Sequence, residues 1–252
     1  MKKKKIAILI SGNNNNLVNK DKIKNGYNFK NVIQIFRKQF EVNYDVDYYC
    51  IFSEEFDKSI FDNKLKNYKI VSDKELNTNN VKHSNQFYRR KYLLDIIDKN
   101  ENYHFYMFLR NDRLLIPNGY GLWDRTVKYE ESAGWKKITD LNKTDYEIPF
   151  IFNNHIDFSY MYLISYGYKI DINKSICVWD GFCLGNFEKI SIFLNFNIKN
   201  NKKYKWNIKR MPEIYLKRNL DKLNIKLKSI DDINEIPIND NHLQMMANCG
   251  YN

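Results

Sequence analysis

A group of charged residues interrupts the most apolar part of this sequence. Residues 105–109 are apolar and rich in aromatic side chains, which is typical of a buried strand, and Arg110, Asp112 and Arg113 follow directly. Charges rarely stand where a buried strand would continue unless they are paired or bind a ligand. A carboxylate between two guanidinium groups is suited to a divalent cation and a phosphate. The alternative is a buried Arg–Asp pair that closes the strand.

Further polar residues stand beside predicted elements. Ser11 and Gly12 end an apolar run, where the backbone can approach a bound base or ribose closely. An ordinary strand-ending turn has the same sequence. Asn85, Arg89 and Arg90 belong to a predicted helix, and Arg89 and Arg90 point roughly 100° apart on it. We therefore expect at most one of these two arginines to face a ligand, and a solvated basic face is the alternative.

These residues are expected to be positioned by alternating strands and helices. Apolar runs and helical spacing predict strands at 5–10, 44–52, 68–71 and 104–109, and helices at 29–40, 86–97, 157–168, 186–194 and 212–223. Such an alternation is typical of a mostly parallel α/β sheet. The sequence contains no internal repeat and no clear linker, which favours a single domain.

Composition limits the function classes. With 43% hydrophobic and 15% aromatic residues the chain is too apolar to be disordered, and its formal charge of +11 favours anionic partners. No apolar run approaches the roughly 20 residues of a membrane span, and peripheral membrane contact is left open. Only five apolar residues follow the basic start, fewer than the about 7–15 of a signal-peptide core. The four cysteines have no metal-type spacing, so reduced thiols and a cytoplasmic location are expected.

Four segments carry a resemblance to a known family. In chain order they are Ile6–Gly12, Ser84–Lys91, Phe105–Leu114 with its Arg-x-Asp, and Trp179–Gly185 followed by Met211–Lys217. Together they resemble the nucleotide-sugar-dependent glycosyltransferases of the GT-A fold, most of all the polysaccharide-type enzymes of bacteria and large DNA viruses. The resemblance implies one GT-A-like domain with a Rossmann-like, mixed and mostly parallel central sheet flanked by helices. It implies a nucleotide-binding half at 1–116, an acceptor-side half at 117–230 and a polar C-terminal tail at 231–252.

The resemblance also implies an activity, namely transfer of a sugar from a nucleotide-sugar, with a UDP-sugar favoured, to a glycan or other hydroxyl acceptor. Asp112 would hold Mn²⁺ or Mg²⁺, and His242 in the tail is a further candidate ligand. Arg110 and Arg113 would grip the diphosphate. The donor would also contact Ser11, Gly12, Asn85, Arg89 or Arg90. For a viral enzyme the cytoplasm would be that of the host.

Asp180 falls at the position of the family's acceptor-side acid. An inverting transfer needs a general base to take the proton of the acceptor hydroxyl, and Asp180 is the candidate. Trp179 and Phe182 would offer apolar faces to a sugar ring. The alternative is a loop aspartate that caps the helix predicted from Asn186.

Two departures from the family keep other functions open. The usual Asp-x-Asp is reduced to Asp112, with Arg110 in the first place, and four asparagines follow Gly12 where a basic residue is common. Metal dependence is therefore an open point. A catalytically inactive nucleotide-binding α/β protein is one alternative. A basic nucleic-acid-binding or processing protein is another, although the basic residues are spread along the chain and match no nucleic-acid motif.

Overall fold

Alternating strands and helices make up most of the computed structural model, which describes residues 2–14, 29–76, 85–111, 113–116, 119–122, 149–152, 156–164, 171–175, 177–196 and 212–233. The strands are β1 (Lys4–Gly12), β2 (Tyr44–Phe52), β3 (Leu65–Ile70), β4 (Tyr106–Arg110), β5 (Arg113–Ile116), β6 (Gly119–Leu122), β7 (Met161–Leu163), β8 (Phe182–Gly185) and β9 (Leu227–Ser229). The helices are α1 (Phe29–Phe40), α2 (Asn85–Lys91), α3 (Leu93–Ile96), α4 (Phe187–Leu194) and α5 (Pro212–Lys222). Two 3-10 helices span Lys58–Lys64 and Ile230–Asp232.

Seven of these strands form one sheet in the order β3–β2–β1–β4–β8–β7–β9. Strands β3, β2, β1 and β4 are parallel, β8 runs antiparallel to β4 and β7, and β9 is parallel to β7. Strands β5 and β6 pair separately as an antiparallel hairpin. The predicted mixed, mostly parallel α/β sheet flanked by helices is confirmed, and the arrangement agrees with the GT-A-like class. Strands from both predicted halves of the chain join this one sheet.

The two faces of the sheet are covered by different helices. Along β1, Ile6, Ile8 and Ile10 pack into a cluster with α1, while Ala7 and Leu9 pack into a second cluster with α2 to α5. A parallel strand covered on both faces is apolar almost without interruption, and this explains the run at the start of the chain. None of the helices in the described ranges is long and apolar enough to cross a membrane.

One predicted helix is wrong. Residues 157–168 were expected to be helical, but Tyr160 N donates to the carbonyl of Asp157 at 3.1 Å in a turn, and β7 follows. Within β7, Tyr162 is paired with Leu184 of β8 and Lys228 of β9. The hydrogen bonds of two neighbouring strands therefore override the helical spacing of the apolar residues. The helix predicted at 86–97 is divided into α2 and α3.

The order of the strands identifies the edge at which a ligand is expected. The chain passes from β1 to β2 and β3 on one side, and then crosses to β4 on the other side of β1. Open α/β sheets bind ligands at such a switch point, outside the carboxyl ends of the strands. Since β8 is antiparallel to β4, the residues that precede β8 lie at this same edge. The edge therefore brings together residues that follow β1, β2 and β4 with residues that precede β8.

Candidate functional site

A buried ion pair closes the edge between β4 and β8. Arg110 Nη1 donates to Asp180 Oδ1 at 3.1 Å and to Oδ2 at 3.3 Å. The backbone N–H of Arg110 donates to the carbonyl of Gly181 at 3.1 Å. The side chain of Asp180 is 1% exposed and that of Arg110 is 11% exposed. Separating the two groups would leave buried charges without this partner, which costs free energy. The pair therefore holds both side chains in place.

One of the alternatives for Asp180 is excluded by the structure. The helix-cap alternative is wrong, because Asn186 caps α4 and its Oδ1 accepts a hydrogen bond from Lys189 N at 3.0 Å. A buried Arg–Asp pair does close β4, but its described acid is Asp180. Asp112 lies outside the described residues. Its predicted role in metal binding remains a prediction.

Gly12 is in close contact with Asn111, a residue that sequence reasoning did not select. Asn111 is fully buried, and its Nδ2 donates to the carbonyl of Asn13 at 3.0 Å. A Cβ atom at Gly12 would lie 2.6 Å from Asn111 Cγ and closer still to Oδ1. Position 12 therefore requires glycine, because the side-chain amide of Asn111 crosses the end of β1 there. The sequence feature that could have identified Asn111 is its position as a polar residue at the end of a predicted buried strand.

Two of the four asparagines after Gly12 connect the ends of β1 and β2. Ser53 Oγ accepts a hydrogen bond from Asn14 N at 3.2 Å, and its single O–H is shared between the Oδ1 atoms of Asn13 and Asn14, each 3.0 Å away. Asn14 Oδ1 also accepts from Glu54 N at 2.9 Å, and Asn14 Nδ2 donates to the Glu54 carbonyl at 2.8 Å. We call Asn13, Asn14, Ser53 and Glu54 the asparagine clamp. It holds the residues that follow β1 against those that follow β2.

Arg89 and Arg90 are both buried, so the alternative of a solvated basic face is wrong for these two residues. Each is 2% exposed. Arg89 Nε donates to the carbonyl of Val71 at 2.9 Å, and its Nη2 forms an ion pair with Asp73. These contacts join α2 to the segment that follows β3. The guanidinium of Arg89 is thus used in holding the fold together.

Arg90 is surrounded by aromatic rings. Its guanidinium carbon lies 4.4 Å from the ring centroids of both Phe87 and Phe193. Burial lowers the pKa of Arg90 to about 10, while the nearby charge of Asp180 opposes that shift. The residue is therefore a cation at neutral pH. Its position is inside the molecule, behind the edge at which a donor is expected.

Several buried polar atoms at or behind this edge lack a hydrogen-bond partner among the described residues. Within the described ranges they include Ser11 Oγ, Asn111 Oδ1, and Nε and Nη2 of Arg90. Most buried polar groups in folded proteins are satisfied, and exceptions mark places that water or a ligand completes. Ser11 is paired in register with Arg110 across β1 and β4. The unsatisfied atoms thus lie close to the ion pair in the sheet.

Other predicted residues are less central or lie outside the described chain. Asn85 begins α2 and is half-buried, and the backbone of Arg113 begins β5, where it is paired with Leu122. His242 lies outside the described residues. The predicted apolar faces for a sugar ring are not formed by Phe182, which is 0% exposed.

Trp179 is also buried, and its indole packs onto Gly181. A Cβ atom at Gly181 would lie 2.6 Å from Cε2 of this ring. The backbone N–H of Trp179 donates to the carbonyl of Ile164, which follows β7, at 2.8 Å. The indole therefore stabilises the turn that carries Asp180.

The described residues by themselves form no complete metal site. No group of three or more His, Cys, Asp or Glu side chains in the described ranges could hold an ion. Both carboxylate oxygens of Asp180 accept from Arg110. Burial raises the pKa of the Cys177 thiol to about 11 and that of Cys183 well above its usual value, so neither thiol is an ionised ligand at neutral pH.

Comparison with known proteins finds structural neighbours but no family. The sequence matches no protein-family model and no curated protein. Among solved structures that match is the crystal structure of the apo-form glycosyltransferase GlyE in Streptococcus pneumoniae TIGR4, with a TM-score of 0.41 and 12% sequence identity. The match covers 89% of this chain and 45% of the other, so this chain spans less than half the length of that protein. A likeness at this level does not by itself establish a shared fold or activity.

Proposed function

We propose that this chain is a glycosyltransferase that uses a nucleotide-sugar and binds the donor diphosphate at the carboxyl edge of β1 and β4. The observation that carries the proposal is the position of Arg110, held by Asp180 at the switch point of the sheet. A guanidinium presents several N–H donors in a planar arrangement that matches phosphate oxygens. The positive net charge of the chain also favours an anionic donor.

The chemistry follows from where charge develops. When the acceptor hydroxyl attacks the anomeric carbon, the bond to the nucleoside diphosphate breaks and negative charge grows on the leaving phosphate. A guanidinium fixed beside that phosphate stabilises the charge without having to reorganise during the reaction. Asp180 fixes Arg110 in this way. Since its carboxylate is 1% exposed and bonded to Arg110, orientation of Arg110 fits its position better than proton abstraction from an acceptor.

The finer parts of the proposal come from the family resemblance. They are a UDP-sugar as donor, a glycan or other hydroxyl as acceptor, and a cytoplasmic location. Asp112 and His242 would hold Mn²⁺ or Mg²⁺, which would supply further positive charge to the diphosphate. Arg113 is the second candidate for direct contact with the phosphates.

Donor binding and hydrolysis test the proposal directly. Thermal unfolding and hydrolysis would be measured with a panel of UDP-, GDP- and TDP-sugars, with and without Mn²⁺. Stabilisation by one sugar nucleotide together with slow hydrolysis is the expected result. Binding without turnover would support the inactive nucleotide-binding protein. Salt-sensitive binding of DNA or RNA, with no response to any sugar nucleotide, would refute the proposal.

Substitution of Arg110 tests the location of the donor. Arg110→Met is expected to weaken donor binding by about 10–100-fold, because a charge-assisted hydrogen bond contributes about 1.5–3 kcal/mol. Arg37→Met is the matched control, since Arg37 forms its ion pairs elsewhere, with Glu41 directly after α1 and with Asp62. Equal losses of affinity in both variants would mean that the donor does not contact Arg110.

A comparison of two substitutions at Asp180 separates orientation from proton transfer. Asparagine still accepts a hydrogen bond from Arg110, so Asp180→Asn should retain much more turnover than Asp180→Ala if orientation is the role. A general base contributes typically about 10²–10⁴-fold, and asparagine cannot replace it. Equally severe losses in the two variants, with loss of the acid limb of the pH profile, would support the base role instead.

A further inference from the structure

Asn111 is a fully buried polar residue whose hydrogen-bonding groups are only partly used. It is 0% exposed, and its Nδ2 donates to the carbonyl of Asn13 at 3.0 Å. Its Oδ1 has no hydrogen-bond partner among the described residues. A buried polar atom without a partner costs free energy, and an apolar side chain would fill the space without that cost. The amide at this position therefore calls for a reason beyond packing.

The end of β4 is held from both faces of the sheet. Arg110 is paired in register with Ser11 of β1, and its guanidinium is bonded to Asp180 on one face. Gly12, the next residue of β1, faces the other side, because successive residues of a strand alternate. A Cβ atom at Gly12 would lie 2.6 Å from Asn111 Cγ, so the amide of Asn111 lies on that opposite face. Arg110 and Asn111 are therefore anchored in opposite directions.

The side chain of Asn111 also extends the asparagine clamp to a third strand. The clamp joins the residues that follow β1 to those that follow β2. Asn111 directly follows β4, and the carbonyl that it bonds belongs to Asn13, a member of the clamp. The backbone N–H of Asn111 donates to the carbonyl of Ser11 at 3.5 Å. One polar network therefore spans the carboxyl ends of β2, β1 and β4, which are adjacent in the sheet.

We propose that Asn111 is a positioning residue, whose side-chain amide fixes the end of β4 against β1 and so holds Arg110 in place for the donor diphosphate. A binding group that is already in place does not have to be ordered when the ligand binds, and this raises affinity. Asn111 itself is buried and does not touch the donor. Its structural role is independent of any reaction, whereas its effect on donor binding rests on the proposed transferase function.

Hydrogen exchange tests the structural role without a ligand. The readout is the protection factor of the Arg110 amide, which donates to the carbonyl of Gly181 at 3.1 Å. In Asn111→Ala this protection factor is expected to fall by about tenfold or more, because the end of β4 opens locally once its bond to the loop after β1 is removed. The amides of β7, at a distance from this bond, should keep their protection.

Asn43→Ala is the matched control, because Asn43 makes the same kind of bond at the opposite end of the sheet. Its Nδ2 donates to the carbonyl of Phe150, also at 3.0 Å, directly before β2. Loss of protection at Arg110 is expected only in Asn111→Ala. Equal losses in both variants, or no loss in Asn111→Ala, would overturn the proposal. If Asn111→Ala does not fold, Asn111→Ser takes its place, because its hydroxyl is one bond shorter than the amide.

Ligand binding adds a second readout. With UDP as the probe, calorimetry is expected to show a Kd that is about 10–100-fold higher in Asn111→Ala, because a small misplacement of a binding group has an effect of this size. The Kd of Asn43→Ala should equal that of the wild-type chain. An unchanged Kd in Asn111→Ala would contradict the positioning role even if the Arg110 amide loses protection. If the wild-type chain binds neither UDP nor any sugar nucleotide, the transferase proposal fails, while hydrogen exchange still decides whether Asn111 fixes the end of β4.

Discussion

The contact between Gly12 and Asn111 leads to a prediction that can be worked out in detail. In Gly12→Ala the new Cβ would lie 2.6 Å from Asn111 Cγ, whereas ordinary contacts begin at 3.4 Å. The Cγ contact alone requires the amide to withdraw by about 0.8 Å, and Oδ1, which lies closer still to the new Cβ, requires a larger movement in a close-packed interior. This movement would break the 3.0 Å hydrogen bond from Asn111 Nδ2 to the Asn13 carbonyl.

The expected magnitude follows from these two effects. Overpacking costs about 1–3 kcal/mol, and a buried hydrogen-bonding group left without its partner costs about 1–3 kcal/mol. This loss is offset in part, because alanine lowers the conformational entropy of the unfolded chain and so stabilises the folded state by about 0.4–1 kcal/mol. The free energy of unfolding of Gly12→Ala should therefore fall by about 2–4 kcal/mol, a large part of the stability of a typical domain.

The assay is urea unfolding of Gly12→Ala in two backgrounds, wild type and Asn111→Ala. Truncation of Asn111 removes the atoms that the new Cβ would meet, so the cost of Gly12→Ala should drop below about 1 kcal/mol there. Ser11→Ala is a control at the adjacent position, because the Ser11 hydroxyl has no hydrogen-bond partner among the residues that the structure describes. An equal cost of Gly12→Ala in both backgrounds would refute the close contact with Asn111.

Three further predictions concern stability. Ser53→Ala removes the hydroxyl at the centre of the asparagine clamp and should lower the free energy of unfolding by about 1–3 kcal/mol in urea titrations; no change would mean that the clamp does not form. Asn186→Ala removes the N-cap of α4 and should cost about 1 kcal/mol by the same assay, with an unchanged value contradicting the cap. Burial and the charge of Lys4 lower the pKa of His104, so stability should be complete above the unfolded-state value near 6.5 and decrease as pH falls below it. His104→Phe, which cannot titrate, should show a smaller decrease between pH 7 and 5, and an identical decrease would exclude His104 as its source.

The sequence predicted the elements whose patterns are local. Helix α1 and strand β2 have the bounds expected from spacing and apolar runs, 29–40 and 44–52. The helix expected from 186 is α4, with Asn186 as its cap. These predictions succeed because both patterns are visible within a few residues. Burial of one face of a helix gives a periodic pattern, and burial of both faces of a strand gives a continuous apolar run. The strand β7 was missed because three paired residues leave no comparable period.

At the candidate site, the sequence identified residues but not their partners. Arg110 and Asp180 were each selected because a charge stands among apolar residues, yet they are 70 positions apart in the chain. Their pairing depends on β8 lying antiparallel beside β4. The need for glycine at position 12 likewise depends on Asn111, which approaches from the neighbouring strand.

By itself, the sequence determined which segments are buried, that the sheet is mostly parallel, and which polar residues are out of place in their surroundings. Only the tertiary structure decided what those polar residues contact. It joined Asp180 to Arg110, bound Arg89 to the end of β3, and enclosed Arg90 between aromatic rings. The physical reason is that a local pattern records how far a side chain is removed from water, whereas its partner is set by the order and direction of strands that are distant in the chain.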